Sequence, residues 1–112
     1  MPMDVATFRK LVALDPQDAL NRFGLGKKLF EQEQDPVALA EAADHLRFAN
    51  AKAPEHLATY HVLGQVLIRL GLTQEARQVL QAGCERSAGM GEGMGRDLGP
   101  AMAELLASLG SK

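Results

Sequence analysis

The stretch Tyr60-His61-Val62-Leu63-Gly64-Gln65-Val66-Leu67, followed by Gly71 and then by Ala76-Arg77-Gln78-Val79-Leu80, decides the fold. Its spacing predicts two helices, with Gly71 standing where the first should stop and the second begin. The same order occurs 38 residues earlier, as Leu25-Gly26-x-x-Leu29, then Ala42-x-x-x-Leu46, then Ala49 and Pro54. The physical sense of the pattern is a pair of closely packed antiparallel helices. Small residues at Gly26, Ala42, Ala49, Gly64 and Ala76 let the axes approach, and Leu25, Leu29, Leu46, Leu63, Leu67 and Leu80 fill the space between them.

Outward from this repeat, Phe8, Leu11, Leu14 and Asp15-Pro16 stand before Leu25-Gly26 as Leu46, Ala49, Lys52 and Ala53-Pro54 stand before Leu63-Gly64. The first helix therefore reads as the second half of a repeat. The earlier repeat carries about four extra residues, which the Asp35-Pro36 signal places in an inter-helix loop at 33–36, where added length is cheap. The expected helices are 4–14, 17–32, 36–52, 56–70, 74–87 and 97–109. They group into a half repeat over 4–16, repeats over 17–56 and 57–87, a linker over 88–96 and a C-terminal helix within 97–112. The linker is expected to be mobile, because four of its nine residues are Gly. Beyond it, Leu98, Met102, Leu105 and Leu109 form one apolar stripe, with Asp97 as the N-cap and Pro100 tolerable in the first turn.

Composition agrees with an all-α chain. Of 112 residues 46% are hydrophobic, mostly Ala and Leu, with four Phe, one Tyr and no Trp. That balance favours packed helices over strands. Twelve Lys and Arg against 14 Asp and Glu leave a net charge of −2, which supplies no basic field for nucleic acid or an anionic membrane. Cys84 is the only cysteine, which leaves no intrachain disulfide and suits a reducing compartment. The N-terminal residues lack the apolar core of a signal peptide, and no segment approaches the ~20 apolar residues of a membrane span, so a cytoplasmic location is expected.

The joint spacing of these residues over 8–87 resembles the tetratricopeptide repeat. The signature of that family is an aromatic, a Leu-Gly, a second aromatic, then small, large and small residues and a Pro. Arg22 and Tyr60 stand in for the first aromatic here, and Leu29 and Leu67 for the second. Gly83 replaces the usual Ala and Ala88 the usual Pro. The resemblance implies a short right-handed helical-hairpin solenoid of about six helices, with a concave face that receives an extended peptide or helix. Carried over by position, that face comprises Leu20, Phe23, Lys27 and Phe30 in one repeat and Ala58, His61, Gln65 and Ile68 in the other. Phe23 and Phe30 either serve a partner or pack on neighbouring helices. The family's carboxylate clamp is disfavoured, because only Lys27 matches it and Phe23, Ala58 and Val62 occupy positions that need polar or basic groups. The last helix either caps the final repeat on Val79 and Leu80 or fills the groove.

Reactive constellations are weak throughout. Gly24-Leu25-Gly26-Lys27-Lys28 lacks the glycine spacing, the following Ser or Thr and the preceding strand of a phosphate loop. His56 and His61, five apart, point about 140° away from each other on one helix and cannot share a metal as an i, i+4 pair does. His45 reads as a packing or surface histidine. Cys84, beside Ala82 and Gly83, reads as a small core residue. The carboxylates are scattered singly. The expectation is a non-catalytic module without metal or cofactor that binds a protein or peptide as a monomer or weak homo-oligomer. The alternative is a structural unit that self-assembles through exposed solenoid ends.

Overall fold

The computed structural model describes residues 3–90 and 98–110, and these are all-helical. In chain order the helices are α1 (Val5–Leu14), α2 (Ala19–Gln32), α3 (Pro36–Lys52), α4 (Leu57–Arg69), α5 (Thr73–Gly89) and α6 (Leu98–Ser108). They fall into two compact units, residues 1–54 and residues 55–112.

In the first unit aspartates start every helix. Asp4, Asp18 and Asp35 each accept a hydrogen bond at 2.9 Å from a backbone N–H three residues on, at Thr7, Asn21 and Ala38. Such caps satisfy donors that the helix itself cannot. The Asp18 cap explains why α2 begins at Ala19 and not at 17. Leu25 and Leu29 of α2 and Leu46 of α3 are all at most 1% exposed. Gly26 is the point of closest approach. A Cβ there would lie 2.7 Å from Leu46 Cγ and 3.1 Å from the Ala42 carbonyl oxygen.

In the second unit the contact recurs. A Cβ on Gly64 would lie 2.6 Å from Leu80 Cγ, and Leu63, Leu67, Ala76 and Leu80 are likewise at most 1% exposed. Gly71, with φ of +78°, ends α4. Leu72 N–H donates back to the Leu67 carbonyl at 2.9 Å and Gly71 N–H to the Ile68 carbonyl at 3.0 Å. This left-handed C-terminal turn is one that glycine adopts without a Cβ penalty. α6 then packs on α4 and α5. Met102, fully buried, joins Leu57, Tyr60 and Leu80, and Val79, Leu98, Leu105, Leu106 and Leu109 surround that cluster. Gly83 makes room for it, since a Cβ there would lie 2.5 Å from Met102 Sδ and 2.8 Å from Tyr60 Cβ. At the far end, Arg77 Nη2 donates to the Leu109 carbonyl at 2.9 Å.

The structure corrects two expectations. The four extra residues of the first hairpin do not lengthen its loop, because the connections Glu33–Asp35 and Leu70–Leu72 both hold three residues. They extend the helices, with α2 running one residue further past Gly26 and α3 starting three residues further before Ala42 than their counterparts. The added helical residues bury Ala38 and Leu39, which a longer loop would not. Second, α5 continues through Ala88 and Gly89, so the segment expected to be linker begins as helix. Residues 91–96, like the Asp97 cap, lie outside the described residues. Leu14, the last residue of α1, is 82% exposed. No helix among the described residues is long and apolar enough to cross a membrane.

Candidate partner-binding faces

The residues expected on a binding face occupy one flank of α2 and one flank of α4. On α2, the flank opposite the Leu25 and Leu29 core carries Leu20, Phe23, Lys27 and Phe30. Leu20 is 61% exposed, and Phe23 and Phe30 are half-buried. Lys27 reaches solvent and pairs at 3.6 Å with Glu31, which Lys28 also approaches at 3.2 Å. An exposed Leu bordered by two partly covered aromatic rings and a lysine is an amphipathic strip with apolar area left over.

The α4 flank is more enclosed. Ala58, His61, Gln65 and Ile68 are all half-buried, and Ile68 packs against the core cluster that α6 completes. Burial pushes the His61 imidazole below its ordinary value, because an apolar surrounding disfavours the charged ring. Between its folded and unfolded values the unfolded chain binds more protons, so stability rises with pH there and is lost as pH falls through the unfolded value, about 6.5. His61→Gln is expected to flatten the fall in thermal midpoint between about pH 7 and about pH 5. An unchanged slope would assign the acid sensitivity to other groups.

The other singled-out residues have structural surroundings. Gly24 to Lys28 lie inside α2. His56 Nδ1 shares a 2.8 Å hydrogen bond with Thr59 Oγ1, a hydroxyl buried at the start of α4. Cys84 Sγ lies 3.9 Å from the Gly99 carbonyl oxygen. Burial and then the nearby Glu85 carboxylate push its thiol up, away from thiolate reactivity. Among the described residues no group of three or more His, Cys, Asp or Glu side chains is placed to hold a metal ion.

A polar chain in the first unit has little signature in the sequence. Arg9 of α1 makes a two-pronged pair with Glu41 of α3, at 2.6 and 3.0 Å. Glu41 Oε2 lies 3.1 Å from His45 Nε2, and His45 Nδ1 lies 3.3 Å from Arg22 Nη1. Arg22 also donates from Nε to the Pro16 carbonyl at 2.9 Å, and its guanidinium lies 4.3 Å from the centre of the Phe48 ring. The i, i+4 spacing of Glu41 and His45 is a signal for one link. Arg9 and Glu41, separated by 32 residues, give none. Arg22, where the repeat signature has an aromatic, thus lies over an aromatic of the neighbouring helix. No family model matches the chain, and no curated protein does.

Proposed function

We propose that the α2/α3 and α4/α5 hairpins are repeats of the tetratricopeptide type, that the fold is a short right-handed solenoid, and that the chain is a non-catalytic module that binds a protein or peptide. The equivalent contacts of Gly26 with Leu46 and of Gly64 with Leu80 support the repeat reading. The observation that carries the binding reading is the α2 flank, where Leu20 remains 61% exposed beside Phe23 and Phe30. An apolar strip of this kind is stabilised when a partner covers it.

The test is affinity capture with the intact chain from a native lysate, followed by measurement of the captured partner's affinity for the wild type and for Phe23→Ala. The expected loss is about 2 kcal/mol of binding, roughly 30-fold, with the thermal midpoint unchanged. A large fall in the midpoint would assign Phe23 to the core and remove the best residue of the face. The second reading, self-assembly, draws on Leu14 at 82% and Val37 at 79% exposure. Light scattering over a concentration series separates the two, since self-assembly raises the mass with concentration in the absence of any partner.

A further inference from the structure

His45 sits between two groups that make opposite demands on its protons. Arginine donates and never accepts, so the 3.3 Å contact with Arg22 Nη1 requires an unprotonated Nδ1. The proton of the neutral ring then lies on Nε2, where it donates to Glu41 Oε2 at 3.1 Å. A second proton would place an N–H, and a positive charge, against the guanidinium. The charged neighbours are Arg9 from α1, Arg22 from α2 and Glu41 from α3 itself, whereas Asp44 pairs with Arg47 at 3.1 Å. We propose that His45 is a proton-controlled latch: the neutral ring holds the Arg22 guanidinium over Phe48, and the protonated ring releases it.

Release is a consequence of the geometry alone. The protonated ring keeps and strengthens its hydrogen bond to Glu41, while its contact with Arg22 changes from attraction to repulsion. Glu41 stays ionised throughout, because the hydrogen bonds from Arg9 hold its carboxyl below the usual range. Arg22 then has the Pro16 carbonyl and the Phe48 face as its remaining contacts, both in competition with water. Its departure uncovers the Phe48 ring and frees the turn between α1 and α2, where Pro16 lies.

Nitrogen-15 NMR of the intact chain tests this. The imidazole shifts of His45 are followed from about pH 8 to about pH 5 over the range in which the amide spectrum stays dispersed, together with the nuclear Overhauser contacts between Arg22 and Phe48. The expected results are an unprotonated Nδ1 in the neutral ring and loss of the Arg22–Phe48 contacts in step with its titration. In His45→Gln, which cannot titrate, those contacts should not change over the same range. A neutral ring with its proton on Nδ1, or Arg22–Phe48 contacts that persist through the wild-type titration, would overturn the proposal.

Discussion

Removing residues 97–112 is expected to lower the thermal midpoint sharply and to make the chain associate. α6 buries Met102 completely and places Leu98, Leu105, Leu106 and Leu109 against a cluster formed by Leu57, Tyr60 and Leu80. A fully buried aliphatic side chain contributes about 1.5–3 kcal/mol, and a half-covered one correspondingly less. Five such side chains reach roughly 5 kcal/mol or more, the lower end of the stability of a whole small domain. The deletion also strips the cover from the facing surface of α4 and α5, so apolar area appears where Gly83 had admitted Met102. Calorimetry and light scattering on the truncated chain check both consequences. A truncated chain that stayed folded and monomeric, and bound its partner more tightly, would make α6 an occupant of the binding face and not a cap.

The helices were legible in the sequence because their punctuation is local. Asp35 and Pro36 open α3 and Gly71 closes α4, each by chemistry confined to a few residues, whereas the Asp4 and Asp18 caps that set the starts of α1 and α2 went unread. The hairpin cores were legible for a related reason. Gly and Leu at fixed spacing leave one arrangement in which a missing side chain on one helix receives a branched one from the next. Features that depend on length or long range failed to show. Four additional residues can enter a loop or lengthen helices, and the choice rests on whether Ala38 and Leu39 find cover, which they do. The Arg9–Glu41 pair and the seat of Arg22 on Phe48 join residues whose proximity exists only after folding. The candidate face was legible as a row of positions but not in its degree of cover. The exposed Leu20 stands at one end of the row on α2 and the partly buried Ile68 at one end of the row on α4, yet only Ile68 packs against the α6-completed cluster.

The repeat geometry yields a prediction whose sign depends on background. Leu46→Ala and Leu80→Ala should each cost about 2–5 kcal/mol, since both leucines are fully buried and leave cavities that helices restrained on both sides cannot close. Gly26→Ala and Gly64→Ala should also destabilise, by about 1–3 kcal/mol, because the new methyl strikes Leu46 or Leu80. Combined in one hairpin, the two substitutions should partly cancel. With Leu80 shortened, the methyl at position 64 enters the space the leucine vacated, and Ala there gains up to about 1 kcal/mol of helix propensity over Gly. Gly64→Ala is thus expected to stabilise the Leu80→Ala protein, whereas Gly26→Ala in the Leu46→Ala protein escapes the leucine but still lies 3.1 Å from the Ala42 carbonyl oxygen and should only destabilise less than in the wild type, each cycle giving a coupling well above the ~0.5 kcal/mol seen between independent sites. Denaturant unfolding of the four proteins in each cycle measures it. Crossed pairs, Gly26→Ala with Leu80→Ala and Gly64→Ala with Leu46→Ala, should simply add, because each glycine meets the leucine of its own hairpin. Additivity within a hairpin would show that the glycines are not where the helices approach, and the repeat reading would lose its structural basis.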